Sequence, residues 1–259
     1  MADNRIALVT GSTSGIGLAV AEGLARQGCS IMLNGLGSPE QIDAARAAIA
    51  ACGAEVDYNG ADLSDPAQVE SMVADTLHRF GRIDILVNNA GIQHTARVEA
   101  FPPDRWDAII AINLSAAFHA VRCALPDMQM RGNGRIINIA SVHGLVASVE
   151  KSAYVAAKHG IIGLTKVIAL ENAEAGITCN AVCPGWVLTP LVRKQIDDRA
   201  AREGTDVAAA ERALLAEKQP SLRFTRPSDI ADAVGFLCSE AGANITGTTL
   251  TLDGGWTAR

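Results

Sequence analysis

The chain is predicted to fold as one α/β domain with a doubly wound parallel sheet and helices on both faces. Three observations predict this fold. A short apolar run near the start leads directly into a glycine-rich turn and a helical pattern. Strand-like runs then alternate with stretches long enough for crossover helices. Finally, 49% of the 259 residues are hydrophobic and no linker-like or charged block divides them. We therefore expect a single core and one domain over residues 1–259.

The first strand and the turn after it indicate where a ligand binds. Residues 6–10 form a β-branched apolar run, Gly11, Gly15 and Gly17 follow it, and a helical pattern then ends near Gly28. Residues without a side chain let the backbone approach a pyrophosphate, and the helix N-terminus offers unpaired N–H groups. The alternative is a tight turn without a ligand. The position directly after the first strand favours a dinucleotide site.

Further strands are predicted at residues 30–34, 55–58, 83–87, 135–139, 178–182 and 248–252. This alternation is typical of a Rossmann-like fold, in which ligands bind beyond the carboxyl ends of the strands. Residues 183–189 are predicted to form a turn that cannot continue the sheet, because they contain Pro184 and Gly185. The charged helical segment at about 190–220 interrupts the alternation of strands and helices, and we interpret it as a helical lid over the substrate.

The residues after the second and third strands bear on the choice of cofactor. Residues 34–37 contain neither the acidic residue that binds an adenosine ribose diol nor an arginine that would receive a 2′-phosphate. The glycine turn also lacks Lys and Arg, and this missing positive charge favours NAD over NADP. Asp62 and Leu63 are suited to contact the adenine amino group and ring. The alternative is that Asp62 caps the helix that starts near Asp65.

The main chemical signal is the pair Tyr154 and Lys158, which stand four residues apart in an alanine-rich helical segment. That spacing puts both side chains on one face of a helix. The ammonium favours the phenolate and is expected to lower the pKa of Tyr154 from ~10, so that the pair can accept a proton from an alcohol. Ser141 ends the fifth strand, where its hydroxyl can polarise a substrate oxygen. Asn113 is unusual because Asn is a poor residue for a helix interior.

Together these motifs resemble the short-chain dehydrogenase/reductase family over nearly the whole chain. The matching residues are Gly11-x-x-x-Gly15-x-Gly17, Asn88-Asn89-Ala90-Gly91, Asn113, Ser141, Tyr154-x-x-x-Lys158 and Pro184-Gly185. The resemblance implies that Tyr154 is the catalytic base and that Lys158 lowers its pKa and holds the nicotinamide ribose. It also implies that Ser141 positions the substrate oxygen and that Asn113 holds a water in a proton relay.

The resemblance further implies a homotetramer and a set of residues that contact NAD. These residues are Gly11, Thr13, Ser14, Gly15, Ile16, Gly17, Leu36, Asp62, Leu63, Asn89, Ala90, Gly91, Tyr154, Lys158, Pro184, Gly185, Val187 and Thr189.

Within the family, the sequence is more similar to members that interconvert (R)-3-hydroxybutyrate and acetoacetate with NAD. This similarity lies in residues 89–94, 141–148, 151, 185–186, 194–196 and 252–256. It implies that Ser141 and Tyr154 hold the reacting oxygen. The residues that it implies for the substrate carboxylate are Gln93, His143, Lys151 and Gln195, and those for an apolar wall against the methyl group are Trp186 and Trp256. Each of these six residues taken alone can also be an ordinary surface or packing residue.

Two other functions are compatible with parts of the sequence. The first is an NADPH-dependent 3-oxoacyl-thioester reductase of the same family. The missing phosphate-binding arginines and the compact set of carboxylate-binding residues argue against it. The second is a non-catalytic regulator that senses a dinucleotide, which is expected to lack Tyr154 or Lys158.

Composition narrows the partners to small molecules. The net charge is −6 and the 22 Lys and Arg residues are scattered, so we expect no nucleic-acid partner. We also expect a cytoplasmic protein without a membrane partner, because the start shows no basic leader and no apolar run approaches the ~18 residues of a membrane span. The six cysteines lie mostly singly in apolar segments, so we assign them to the reduced core and predict no metal site.

Overall fold

The computed structural model describes residues 4–258, and within them the strands form one parallel sheet, as predicted. The strands are β1 Ile6–Val9, β2 Ser30–Asn34, β3 Val56–Asn59, β4 Ile85–Asn88, β5 Gly134–Ile139, β6 Ile177–Pro184 and β7 Thr249–Leu252. Their order is β3-β2-β1-β4-β5-β6-β7 in this part of the chain. The order reverses between β1 and β4, which is where an open sheet of this kind binds its ligand. Residues 1–3 and 259 of the predicted domain lie outside the described residues.

Helices cover both faces of this sheet. They are α1 Gly15–Arg26, α2 Pro39–Ala51, α3 Pro66–Phe80, α4 Pro103–Ile110, α5 Ala116–Arg131, α6 Ser152–Glu171, α7 Pro190–Glu203, α8 Val207–Lys218 and α9 Pro227–Leu237. Helices α1, α2 and α9 pack on one face, and α3, α5 and α6 pack on the other. Helices α7 and α8 form the charged segment that was predicted to be a helical lid.

Alternate strand residues supply the two halves of the core. Val9 and Leu33 pack into the layer of α1, α2 and α9, whereas their neighbours Leu8 and Met32 pack into the layer of α3, α5 and α6. All four side chains are buried, because successive residues of a strand point to opposite faces and both faces carry helices. The continuous apolar runs in the sequence follow from this two-sided burial.

The predicted turn at residues 183–189 is wrong at its first two positions, because β6 continues through Pro184. Cys183 pairs with Thr251 and Pro184 with Leu252. The odd-numbered residues of β6 donate toward β7, as Gly185 N does to the Leu252 carbonyl at 3.0 Å. Pro184 would therefore donate toward β5, which has already ended at Ile139. The missing N–H of proline costs no ladder hydrogen bond at this position.

The expectation that no apolar segment approaches membrane-spanning length is also wrong by length and composition. The helical stretch Pro103–Arg131 has 29 residues and Ser152–Glu171 has 20, and both are apolar enough to span a membrane. Each carries part of the core, with Val121 and Met128 in the first stretch and Ile161 and Ile168 in the second fully or nearly buried. The core helices of a soluble protein pass the same test.

Candidate active site

An open cleft of about 810 Å³ runs along the carboxyl edge of the sheet. It begins at the glycine turn after β1, passes the ends of β4 and β5, and ends at the turn after β6. Every residue predicted for the site lines this cleft, apart from Asn113 and Gln195. The structure therefore brings the predicted cofactor and substrate residues into one cavity, whose volume suits a bound organic ligand.

The glycine turn has open space on the side of the cleft and is closely packed on the side of α1 and Asn89. A Cβ atom on Gly17 would lie 2.2 Å from the Gly11 carbonyl oxygen and 2.4 Å from Asn89 Nδ2. Gly15 has φ +58° and open space where its Cβ would stand. Helix α1 begins at Gly15, and the side chain of Ser14 does not cap it. Such a helix N-terminus binds anions, so this turn fits the pyrophosphate of a dinucleotide.

Polar groups at the end of β2 are already used to hold neighbouring loops. Asn34 Nδ2 donates to the carbonyl oxygens of Asn59 and Ala61, each at 3.1 Å. The Tyr58 hydroxyl donates to the Gly35 carbonyl at 2.7 Å. The Leu36 side chain, 72% exposed, follows at the cleft edge. No arginine lines the cleft in the described chain, so this end presents no guanidinium to a 2′-phosphate.

Asp62 lines the cleft beside Leu63 and does not cap the next helix. The cap of α3 is Asp65, whose carboxylate accepts from Ala67 N at 2.9 Å. The Asp62 carboxylate accepts from the backbone N–H and the hydroxyl of Ser64 at 2.9 and 2.8 Å. These two hydrogen bonds lower the pKa of Asp62. The helix-cap alternative is therefore wrong, and the contact with adenine stays a prediction.

Tyr154 and Lys158 lie one turn apart on α6, as their spacing predicts. The Lys158 ammonium is buried, lies 5.6 Å from the centre of the Tyr154 ring and donates to the Ile139 carbonyl at 2.7 Å. Burial lowers the pKa of Lys158 to about 8. Burial also raises the pKa of Tyr154, and a hydrogen bond with Ser141 opposes that rise. The Tyr154 pKa was expected to be lowered and is instead raised, because removal of the phenol from water outweighs the groups that favour the phenolate.

Asn113 lies in a π-helical turn, Ala111–Ser115, between α4 and α5. Its side chain accepts from Ile92 N at 2.8 Å and donates to the Ile92 carbonyl at 2.9 Å. A poor helix-interior residue therefore stands where the helix widens and its side chain bonds a neighbouring loop. Asn113 and Lys158 both line a small cavity of about 10 Å³, next to the large cleft.

The far end of the cleft combines aromatic rings with positive charge. The Lys151 ammonium lies 5.7 Å from the centre of the Trp186 ring, and the Trp186 and Trp256 rings lie 6.0 Å apart. The His143 ring meets Trp256 edge-on at 5.5 Å and Tyr154 at 5.9 Å. Gln93 also lines this end. This arrangement suits a small ligand that has an anionic group and an apolar group.

Burial and neighbouring charges change the pKa of both basic groups here. Burial lowers the pKa of His143 to about 4, and the charges of Lys151, Lys218 and His159 act in the same direction. Burial and the Lys218 charge also lower the pKa of Lys151. His143 is therefore a neutral ring near pH 7, which can donate one hydrogen bond and accept another.

Gln195 is the predicted substrate residue that the structure does not bring to the cleft. It lies on α7 with an exposed side chain. Val192, on the same helix, does line the cleft. A role for Gln195 therefore requires α7 to move, and that role stays a prediction.

Sequence reasoning missed two polar residues at this end of the cleft. Ser148 Oγ lies 2.8 Å from His143 Nε2, and Lys218 Nζ donates to the same Ser148 Oγ at 2.6 Å. The Lys218 ammonium also lies 5.2 Å from the centre of the Trp256 ring. The sequence carried no signal for this contact, because Ser148 and Lys218 are 70 residues apart and a charged lysine at a helix end is usually solvated.

A family model for short chain dehydrogenases matches residues 5–200 of the chain. The chain belongs to the short-chain dehydrogenase family. One relative of this dehydrogenase is the D-beta-hydroxybutyrate dehydrogenase of Cupriavidus necator, 57% identical over the full length of both chains. The enzyme of the same name from Rhizobium meliloti is 50% identical over 98% of this chain and 99% of its own. A 3-oxoacyl-[acyl-carrier-protein] reductase of Staphylococcus aureus is 36% identical over 97% of each chain.

Solved structures of this family agree with the fold. The crystal structure of levodione reductase superposes with a TM-score of 0.89, is 38% identical and is covered over 98% of each chain. That of an actinorhodin polyketide ketoreductase with NADPH has a TM-score of 0.92 at 34% identity, over 99% of this chain and 98% of its own. This short-chain dehydrogenase is therefore an oxidoreductase whose fold implies a nicotinamide dinucleotide cofactor, and the glycine turn described above fits one.

Proposed function

We propose that this dehydrogenase interconverts (R)-3-hydroxybutyrate and acetoacetate with NAD as the hydride acceptor. One observation carries the proposal. Lys151 lies beside Trp186 in the cleft that Tyr154 lines, and within residues 4–258 no carboxylate pairs with it. A partly buried ammonium without a counter-charge favours an anionic ligand. The two relatives named D-beta-hydroxybutyrate dehydrogenase support the choice of substrate.

The residues around Tyr154 perform the proton transfer. When bound, the nicotinamide ring supplies the acceptor for the hydride of C3 and a positive charge beside the phenol. Ser141 holds the substrate oxygen, and Tyr154 takes its proton as general base. Lys158 lies close enough to favour the phenolate once the oxidised ring adds its charge, which counteracts the burial that raises the pKa of Tyr154.

The small cavity beside Lys158 and Asn113 supports a proton relay behind the base. Its volume of about 10 Å³ is close to the space that one water molecule needs. Asn113 is fixed by its two hydrogen bonds to Ile92, so its position does not depend on a ligand. In this proposal, the proton leaves Tyr154 toward Lys158 and passes through this cavity.

The carboxylate end sets specificity by orientation. Lys151, His143 and Gln93 line one end of the cleft and together can hold a small carboxylate, while Trp186 and Trp256 pack against the methyl group. Gln195 completes the set when α7 moves inward. A bulky carrier-linked thioester has no negative charge at this position, which argues against the reductase alternative.

The preference for NAD rests on the end of β2. Gly35 and Leu36 offer no charge to a 2′-phosphate, and the lysines that line the cleft within residues 4–258 are Lys151 and Lys158, both at the catalytic end. Asp62 would repel a phosphate near the adenosine. We therefore expect kcat/KM to be higher with NAD than with NADP.

A panel assay tests the proposal. Purified protein is mixed with NAD or NADP and with (R)- and (S)-3-hydroxybutyrate, longer hydroxy acids and a 3-hydroxyacyl thioester, and the absorbance of reduced nicotinamide is followed. Fast reduction of NAD by (R)-3-hydroxybutyrate supports the proposal. Activity with the thioester and none with 3-hydroxybutyrate contradicts it, and cofactor binding without turnover of any substrate favours the regulator.

The proposal includes a cytoplasmic homotetramer that has neither nucleic acid nor a membrane as partner. Val167 and Leu170, 50% and 79% exposed, lie three residues apart on one face of α6 and are suited to an interface between subunits. Sedimentation equilibrium at micromolar concentration measures the assembly directly.

A further inference from the structure

Lys218 is the last residue of α8, yet its ammonium is bound next to the substrate end of the cleft. Several other charged side chains of the α7–α8 segment pair with one another, as Arg199 does with Glu217 and Lys194 with Asp198. Lys218 has no carboxylate partner in the part of the chain that the structure describes. Its contacts are the Ser148 hydroxyl at 2.6 Å and the face of Trp256.

These contacts continue as a chain of hydrogen bonds toward the reacting centre. Ser148 Oγ lies 2.8 Å from His143 Nε2, and His143 Nδ1 lies 3.5 Å from Ser141 Oγ. Lys218 does not line the cleft, whereas His143 and Ser141 do. The hydrogen-bonded route from Lys218 to a bound substrate therefore passes through Ser148 and His143.

The chemistry of Lys218 fixes the direction of the first hydrogen bond in this chain. An ammonium can only donate, so Ser148 Oγ accepts from Lys218. The single hydrogen of the Ser148 hydroxyl is then available to His143 Nε2, which must be unprotonated to accept it. In that arrangement a neutral His143 ring carries its hydrogen on Nδ1, the nitrogen on the side of Ser141, whereas an Nε2–H that donates to the second lone pair of Ser148 Oγ would give the other tautomer.

We propose that Lys218 is a positioning residue that acts through Ser148 to fix the His143 ring with its hydrogen on Nδ1, on the side of Ser141, ready to donate to the bound substrate. This inference rests on the proposed function for the identity of the anion, but not for the state of the ring. The low pKa of His143 is consistent with it, because burial and, after it, the charges of Lys151 and Lys218 disfavour a second proton on the ring.

The same contact joins the segment predicted to be a lid to the site. Gln219, which follows Lys218, accepts from Trp186 N at 2.9 Å, so the end of α8 is fixed to the turn after β6. Lys218 can reach Ser148 only while α8 is docked in this position. Displacement of α8 therefore releases the His143 ring and weakens carboxylate binding.

The test follows the His143 ring by NMR in protein labelled with ¹⁵N-histidine, without substrate. His143→Gln assigns the signal. Wild type is expected to show Nδ1 protonated and Nε2 unprotonated at pH 7, while Lys218→Gln and Ser148→Ala each give a mixture of tautomers. Lys218→Arg keeps a donor and is expected to restore the wild-type pattern. Arg212→Gln removes an exposed charge from the same helix and is expected to change nothing.

Kinetics with (R)-3-hydroxybutyrate supply a second readout. In Lys218→Gln and Ser148→Ala we expect KM to rise about tenfold, the loss of one hydrogen bond to a charged group, with kcat within about twofold. Circular dichroism and NAD binding confirm that each variant is folded.

A wild-type ring protonated on Nε2, or a ring unchanged in both Lys218→Gln and Ser148→Ala, overturns the inference, whatever the enzyme oxidises. If the ring responds as expected but wild type does not oxidise 3-hydroxybutyrate, the positioning role of Lys218 is supported and the proposed function fails by itself.

Discussion

Tyr154 is the residue on which the proposed chemistry depends. Tyr154→Phe removes the phenolic oxygen and leaves the ring that packs against His143 in place. We expect kcat to fall at least about 100-fold, the usual loss when a general base is removed. NAD affinity, measured by fluorescence titration, is expected to stay within about threefold, because the glycine turn that fits the pyrophosphate is unchanged. A variant that keeps most of its kcat contradicts the assignment.

Glu150 is held in a strained backbone conformation directly before Lys151. It has φ +64° and an exposed side chain, and its carbonyl accepts from Ala96 N at 3.0 Å. A residue with a Cβ atom pays about 1–2 kcal/mol for the left-handed region. Its position suggests that the strain fixes the start of α6 and hence Lys151.

Glu150→Gly is expected to relieve this strain and to raise the free energy of unfolding by up to about 1 kcal/mol, since part of the gain is lost to the freer unfolded chain. We expect KM for the hydroxy acid to rise at the same time, because Lys151 is then less firmly held. Glu150→Ala removes the carboxylate but keeps the strain, and it is the matched control. Urea unfolding and steady-state kinetics that do not distinguish the two variants would refute the role of strain.

His143 is expected to make stability depend on pH. Its folded pKa is about 4, against 6.5 for an ordinary histidine, so between these values the unfolded chain binds a proton that the folded chain does not. The free energy of unfolding therefore falls as pH falls from about 6.5 to about 4, by up to about 3 kcal/mol from this group.

Urea unfolding of wild type and His143→Gln at pH 7.5 and 4.5, at one protein concentration, measures this contribution. The drop in stability between the two pH values is expected to be smaller in His143→Gln. His78→Gln, on an exposed face of α3, is the control and is expected to keep the wild-type drop. An equal drop in all three proteins contradicts the buried, neutral state of His143.

Among the elements, the first turn of α1 packs against the glycine turn so closely that it tolerates no side chain at Gly17. In Gly17→Ala the new methyl group would lie 2.2 Å from the Gly11 carbonyl, so the turn or the helix must shift. We expect a loss of about 1–3 kcal/mol in the free energy of unfolding and weaker NAD binding. Gly163→Ala, in α6 and outside the cleft, is the control, because its Cβ would meet nothing within 4 Å. Similar NAD affinity in both variants contradicts the close packing of the turn.

The sequence predicted the elements well where local patterns determine them. All seven predicted strands are present in the described chain, and their ends differ from the predicted ones by at most two residues. The prediction ended the sixth strand before Pro184, and this was wrong. Whether a proline costs a ladder hydrogen bond depends on whether a neighbouring strand still runs beside it, which the sequence does not show. In the sequence, the only sign of the π-helical turn around Asn113 was that Asn is a poor residue for a helix interior. The turn itself could not be predicted, because it depends on a hydrogen bond between Asn113 and a distant loop.

The candidate site was predictable where it follows motifs and unpredictable where it follows packing. Tyr154, Lys158 and the glycine turn lie at fixed spacings, and all reach the cleft. Lys218 and Ser148 meet only because α8 docks onto the loop before α6. Gln195 faces away because its position depends on where α7 lies, which the sequence does not determine.

At the scale of the whole molecule, the sheet collects residues from distant segments at one carboxyl edge. Strands β4, β5 and β6 end beside one another, so Asn89, Ser141 and Gly185 line the same cleft although each is more than 40 residues from the next. The two lysines at the far end, Lys151 and Lys218, give that edge a positive charge in a chain whose net charge is −6. This positively charged end therefore accounts for the proposed selection of a small carboxylate.

The ratio of kcat/KM for (R)-3-hydroxybutyrate to that for its methyl ester measures this selection of the carboxylate. The ester keeps the reacting hydroxyl and the methyl group and removes only the negative charge. We expect wild type to favour the acid at least about 100-fold, as for a desolvated charge pair that loses one partner. We also expect Lys151→Met to reduce that ratio to within about tenfold of unity. Equal kcat/KM for the acid and the ester in wild type would contradict the proposed selection of the carboxylate.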